Sequence, residues 1–143
     1  MIYITEKNFE RQLALLQLVS QLSGATDLVA WLYPGLNLTS FVGLEVTSDS
    51  DGLLPVTTYE DDSEKVSNTM PTQFTSSLAE RLVQGGSEIF RCCDSLAIYR
   101  KDEKDWYACT IYHEGMCLVS DNILLSHLIA QGFNATEEAP TWR

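Results

Sequence analysis

The chain has 143 residues, 45% hydrophobic and 20% charged, a composition that excludes a disordered protein and predicts one folded domain over residues 1–143. Its 20 Asp and Glu against 9 Lys and Arg give a net charge of −11, which makes nucleic acid and anionic membranes poor partners and basic proteins good ones. Because the sequence has neither a signal-peptide pattern nor a run long enough to span a bilayer, we expect a cytoplasmic protein.

The first predicted element is a helix over residues 6–22, ended by Gly24. Phe9, Leu13 and Leu16 recur on one face of it at helical spacing. The apolar stripe is wider than a surface helix needs. This width indicates either a central place in the core or a face shared with a partner.

Three strands are predicted to follow the first helix. Residues 26–33 are rich in branched and aromatic side chains and end at a Pro-Gly pair. Residues 39–47 and 53–60 flank an acidic turn at 48–52, and we expect these two strands to pair as a hairpin. The polar segment at about 60–70 predicts a flexible loop.

A second helix is predicted to begin near Pro71, because proline is favoured in a first helical turn, and to end at Gly85. Its apolar positions form a narrow stripe suited to packing on a sheet. A three-stranded meander is then predicted over residues 88–100, 105–112 and 116–120.

The register of the last hairpin determines where two cysteines point. A pairing of Tyr112 with Met116 would place Cys109 and Cys117 on one sheet face among apolar neighbours. Buried free thiols are therefore favoured over disulfides in a reducing compartment, and the cysteine spacing does not match a zinc site. The four cysteines are Cys92, Cys93, Cys109 and Cys117.

The last predicted helix spans residues 122–133, with Asp121 as its N-cap and Gly132 as its stop. The residues expected on its inner face are Leu124, Leu125, Leu128 and Ile129. A polar tail follows at about 134–143. The element order is thus α-βββ-α-βββ-α, which predicts an α+β fold, an antiparallel sheet with helices packed on it.

The candidate chemical sites are weak. His113 and Glu114 fall in a predicted tight turn open to water, which explains them without catalysis. Asp49 and Asp51 are spaced like the first ligands of a calcium loop, but the bidentate Glu that such a loop needs is missing. Nucleotide-binding and hydrolase motifs are also missing. The sequence therefore predicts no catalytic residue, no cofactor and no metal, and favours a non-enzyme.

Charge distribution indicates a binding role instead. No Lys or Arg lies between Arg11 and Lys65, and that interval includes the acidic run YEDDSE at 59–64. An acidic rim around an apolar strip is typical of a protein that binds another polypeptide. The predicted partner-binding residues are Phe9, Leu13, Leu16, Asp49, Asp51, Glu60, Asp61, Asp62 and Glu64.

Residues 104–133, KDWYACTIYHEGMCLVSDNILLSHLIAQGF, resemble the late hairpin and Asp-led final helix of small acidic class I chaperones of type III secretion systems. The size, acidity and element order of the chain are similar to theirs. The resemblance implies a cytoplasmic homodimer that holds the unfolded N-terminal segment of an effector across apolar grooves.

Two other functions stay open from the sequence. The chain could be an immunity protein or a phage anti-defence inhibitor, whose acidic face, including residues 59–64, blocks the basic active site of a toxin or nuclease. A small enzyme is the third alternative. Strong salt dependence of association is expected of the inhibitor, and a homodimer is expected of the chaperone.

Overall fold

The computed structural model describes residues 1–24, 26–33, 43–47, 49–56 and 67–141. Over these residues a large antiparallel sheet packs against helices, so the predicted α+β class is confirmed. No helix within these ranges is both long enough and apolar enough to cross a membrane.

The strands are β1 (Ile2–Thr5), β2 (Thr26–Leu32), β3 (Val46–Thr47), β4 (Ser67–Thr69), β5 (Thr72–Gln73), β6 (Cys93–Arg100), β7 (Ala108–Ile111), β8 (Met116–Val119) and β9 (Asn134–Thr136). The helices are α1 (Phe9–Ser23), α2 (Ser76–Gly85), α3 (Ser87–Cys92) and α4 (Leu125–Ala130). Two short 3-10 turns cover Tyr112–Glu114 and Asn122–Leu124.

The described strands form one sheet in the order β3-β4-β2-β6-β7-β8-β1-β9, with β5 also pairing to β2. All of its pairings are antiparallel. The longest runs between β2 and β6, where Thr26 lies opposite Arg100 and Leu32 lies opposite Cys93. Because side chains alternate along a strand, β6 contributes to both faces of the sheet.

One face of the sheet, which we call the helix face, is covered by the helices. Its cluster includes four fully buried residues of α1, together with buried residues of the other three helices. The α1 residues are Leu13, Leu15, Leu16 and Val19. The surplus apolar width of the first helix is thus occupied by the core of the chain itself.

The opposite face, which we call the strap face, is covered differently. Residues 49–56, the strap, place Leu53 and Val56 on it. The strap face comprises Val29, Trp31, Ala97, Tyr99, Cys109, Ile111, Met116 and Leu118. Tyr3 and Trp106 pack at its margin.

The chain begins with a strand that the sequence pattern did not predict. Ile2 and Ile4 of β1 are fully buried, and Thr5 pairs with Met116 of β8. The first helix therefore starts at Phe9 and not at residue 6. Asn8 is its N-cap, since its side chain accepts a hydrogen bond from Arg11 N at 3.0 Å.

The predicted hairpin around the acidic turn is wrong where the structure describes it. Val46 and Thr47 pair with β4, and residues 53–56 form no strand. Along the strap, Leu53 and Val56 are buried and the two residues between them are exposed, a spacing of three that does not fit the alternation of a strand. Of the predicted flexible loop at about 60–70, residues 67–69 form β4, and residues 60–66 lie outside the described ranges.

Two further boundaries differ from the prediction. The second helix begins at Ser76, because Thr75 caps it and the residues after Pro71 form β5 instead. Residues 88–92 belong to α3 and not to a strand. Ile89 and Phe90 are adjacent and both buried, which a helix packed on the sheet allows and a half-buried strand does not.

The last hairpin pairs one residue away from the predicted register. Ile111 lies opposite Met116, because the 3-10 turn takes up Tyr112. A slip of one residue reverses the face of every side chain on a strand. Cys109 consequently lies on the strap face and Cys117 on the helix face.

The predicted closing helix over 122–133 consists of the 3-10 turn, which Asp121 caps, followed by α4, which ends at Ala130. The side chain of Asp121 accepts a hydrogen bond from Ile123 N at 3.2 Å. Leu124 and Leu128 are buried as predicted, but Ile129 is 54% exposed because the α-helical part is short. The predicted polar tail contributes a strand, β9, which pairs with β1.

Candidate functional site

The strap is fixed to the sheet by side chains of β6. The Tyr99 hydroxyl donates a hydrogen bond to Leu54 O at 2.7 Å. It also accepts one from Trp31 Nε1 at 2.9 Å. The Ser95 hydroxyl donates to Val56 O at 3.2 Å. Strap carbonyls that lack strand partners are therefore satisfied by the sheet beneath them.

The hydrogen bond of Tyr99 to the strap depends on its proton. Burial raises the pKa of the Tyr99 phenol well above its ordinary value, and the hydrogen bond from Trp31 opposes this in part. A phenol with the ordinary pKa of 10.0 is already protonated at neutral pH, and the raised pKa keeps the hydroxyl a donor to the strap at alkaline pH as well.

The strap begins in a tight acidic turn. Asp51 and Gly52 both have left-handed backbone angles, with φ of 52° and 77°, and Leu53 N donates to Ser50 O at 3.0 Å. The Asp49 carboxylate accepts a hydrogen bond from Asp51 N at 2.8 Å. In this geometry the side chains of Asp49 and Asp51 are both exposed to solvent.

Lys104, in the turn between β6 and β7, joins that turn to the strap. Its Nζ donates to Asp51 O at 2.8 Å, and its carbonyl accepts from Leu54 N at 2.9 Å. The two turns therefore lie side by side at one end of the sheet.

The β6–β7 turn adds more exposed charge. Arg100 forms an ion pair with Glu103, with 3.0 Å between Nη2 and Oε1, and its guanidinium lies 4.4 Å from the centre of the Tyr107 ring. Asp102 has a left-handed φ of 65°. An exposed pair of this kind contributes little to stability.

These two turns and the start of β2 form what we call the acidic end of the sheet, which comprises Asp27, Asp49, Asp51, Asp102 and Glu103. An open cleft of about 210 Å³ lies among them. The cleft is lined by Asp27, Asp51, Leu53, Pro71, Tyr99, Arg100, Asp102, Glu103 and Lys104. Four carboxylates against two cations give it a negative field, and an open, charged cleft suits a protein surface better than an enclosed small molecule.

The structure places the predicted partner-binding residues in three different settings. Asp49 and Asp51 are exposed at the acidic end. Leu13 and Leu16 are fully buried, and Phe9 is half-buried against Phe90, with 5.4 Å between the ring centres. The remaining predicted residues lie outside the described part of the chain; they are Glu60, Asp61, Asp62 and Glu64.

Three residues of the acidic end were not among the predicted ones: Asp27, Asp102 and Glu103. Asp27 pairs with Tyr99 across the β2–β6 ladder, and the other two follow β6 directly. The only sequence signal for them was their acidity, since their proximity to the acidic turn depends on which strands pair.

The cysteines are free thiols, as predicted. Cys93, Cys109 and Cys117 are buried and Cys92 is half-buried. Burial raises the pKa of both the Cys93 and the Cys117 thiols, which disfavours the thiolate that a nucleophile needs. Among the described residues, no group of three or more His, Cys, Asp or Glu is placed to hold a metal ion.

His113 lies exposed in the 3-10 turn, at the position predicted for it. Its Nδ1 is 3.0 Å from the Tyr33 hydroxyl, and the two rings are 6.2 Å apart between centres. This contact joins the β7–β8 turn to the end of β2. It lies at the end of the strands opposite to the acidic end.

Comparison with known proteins gives no match to a protein family, to a curated protein or to a solved structure. The resemblance of residues 104–133 to secretion chaperones therefore stays a prediction.

Proposed function

We propose that the chain is a non-catalytic cytoplasmic protein-binding module whose acidic end binds a basic surface of another protein, in the manner of an inhibitor or immunity protein. One observation carries the proposal. Exposed carboxylates from three separate segments, β2, the strap and the β6–β7 turn, converge around one open cleft. Like charges held side by side on a surface repel one another and are relieved by a basic partner.

The acidic end also has an apolar component. Leu54 of the strap is 51% exposed, and Pro71, which lines the cleft, is exposed as well. Protein interfaces combine an apolar centre that supplies affinity with a charged rim that steers the encounter. Association with a basic partner should therefore be fast at low salt and slow at high salt.

The test compares two variants with the same change in net charge. Asp49→Asn with Asp51→Asn removes two charges from the acidic end, and Glu137→Gln with Glu138→Gln removes two exposed charges next to β9. Each form is immobilised and exposed to lysate of the source cells, and a protein retained by the unaltered chain is purified for kinetic measurement.

We expect the first variant to reduce the association rate by about tenfold at low salt and the second to change it by less than about twofold. Equal effects of the two variants would show that only net charge matters. Retention unchanged in both would show that binding occurs elsewhere. Either result would reject the acidic end as the interface.

The chaperone-like alternative requires a different binding surface. It requires apolar surface on α1, whereas Leu13 and Leu16 are fully buried in the described chain, so α1 would have to expose them on dimerisation or cargo binding. Light scattering of the purified protein tests the homodimer, and a monomer at high concentration would count against this alternative.

A further inference from the structure

Within the described ranges, the strap is attached to the sheet by hydrogen bonds and by two buried side chains. Two of its carbonyls accept hydrogen bonds from Tyr99 and Ser95, and the side chains of Leu53 and Val56 are buried beneath it. In the part of the chain that the structure describes, the strap takes no part in the strand ladder. Its departure therefore breaks these side-chain contacts and the two hydrogen bonds that join the strap to Lys104, and leaves the pairing of β2, β6, β7 and β8 intact.

The helix face is attached more strongly. The helix α1 satisfies its own backbone hydrogen bonds and buries four fully enclosed apolar side chains against the sheet. Removing it would expose the apolar cluster of the helix face, so we expect it to leave only in global unfolding. Local stability in a protein varies with the number of buried contacts in this way.

We infer that the strap is a detachable cover. It separates from the strap face in a local opening while the helix face stays folded. The opening uncovers the apolar side chains of the strap face. Since the strap carries Asp49 and Asp51, a partner bound to these carboxylates acts on the same segment and shifts its opening equilibrium; this consequence rests on the proposed function, whereas the opening does not.

Two buried thiols report on the two faces separately. Cys109 on β7 belongs to the cluster that contains Leu53 and Val56, and Cys117 on the adjacent β8 belongs to the helix-face cluster. Each is 0% exposed. We therefore expect a thiol reagent to reach Cys109 through an opening of the strap face, and to reach Cys117 only when the helix face opens.

The experiment treats the folded full chain with N-ethylmaleimide at neutral pH and follows each cysteine by peptide mass spectrometry. We expect Cys109 to react at least about tenfold faster than Cys117, as local opening is more frequent than global unfolding. Tyr99→Phe removes a strap hydrogen bond and should accelerate Cys109 by about fivefold with no change at Cys117. Tyr3→Phe, at the margin of the same face, is the control and should leave both rates unchanged.

Equal rates at the two thiols would overturn the inference, because they would mean that both faces open together. Equal acceleration of both by Tyr99→Phe would overturn it as well. Ser95→Ala repeats the test through the second strap hydrogen bond if Tyr99→Phe does not fold. No partner is involved, so failure here leaves the proposed function standing, and failure of the charge variants leaves the detachable strap standing.

Discussion

The two faces of the sheet are both buried, but they are covered by different means. On the helix face, α1 brings a backbone whose hydrogen bonds are already made, so packing of Leu13, Leu16 and Val19 adds stability directly. On the strap face, an irregular segment must find partners for its backbone, and Tyr99, Ser95 and Lys104 supply them. Equal burial therefore does not imply equal attachment, because the strap face depends on a few polar contacts that a single substitution can remove.

The largest effect is expected on the helix face. Leu16→Ala leaves a cavity in the fully buried core and should lower the free energy of unfolding by about 2–5 kcal/mol. Leu22→Ala, on the same helix at a position 41% exposed, makes the same chemical change and should cost less than about 1 kcal/mol. Urea denaturation of both variants measures the difference, and similar losses would mean that α1 is not packed as described.

The same substitution on the strap face should cost less. Leu53 is 9% exposed. Even so, Leu53→Ala can lower the global stability only by as much as the strap itself contributes, because the substitution does not change the energy of the state in which the strap is detached. We expect a loss of about 1 kcal/mol. A loss as large as that of Leu16→Ala would show that the strap is an integral part of the cooperative fold, and would remove the distinction between the faces.

The sequence predicted the helix face better than the strap face for a physical reason. The spacing of Leu13 and Leu16 is a local signal, as is the Asp121 cap, and both were found. The short strands β1 and β9 gain their stability from pairing with each other and with β8, which no local pattern records. The strap was predicted to be one arm of a hairpin around the acidic turn, although the spacing of three between its buried residues Leu53 and Val56 does not fit a strand.

The residues of the acidic end were also predicted only in part. Asp49 and Asp51 were predicted from the acidic turn, where an Asp-Gly pair has a local preference for left-handed angles. Asp27 and Asp102 could not be assigned to the site, because they join it only through the pairing of β2 with β6. That pairing depends on contacts more than sixty residues apart in the chain, beyond the reach of periodicity.

A third prediction concerns alkaline pH and a residue of the helix-face cluster. Burial, then the hydrogen bond to Asp121, raises the pKa of Tyr107 from its ordinary value of 10.0 to about 12. A raised folded-state pKa gives stability that is fully present below pH 10 and is lost as pH rises towards 12. Urea denaturation at stepped pH should show this decline. In Tyr107→Phe the free energy of unfolding should decline less over that pH interval. An unchanged decline would mean that other groups cause it.

The smallest effect on stability is expected at the acidic end. Asn at position 49 keeps a side-chain oxygen to accept the hydrogen bond from residue 51, and Asn at position 51 tolerates the left-handed φ of 52°. Asp49→Asn with Asp51→Asn should therefore change the free energy of unfolding by less than about 0.5 kcal/mol, and relief of repulsion should make the change favourable. We also expect this variant to leave the reaction rate of Cys109 unchanged, because neither carboxylate holds the strap on the sheet. A loss of stability above about 1 kcal/mol would mean that these carboxylates hold the strap in place, and their role in binding could no longer be separated from their role in the fold.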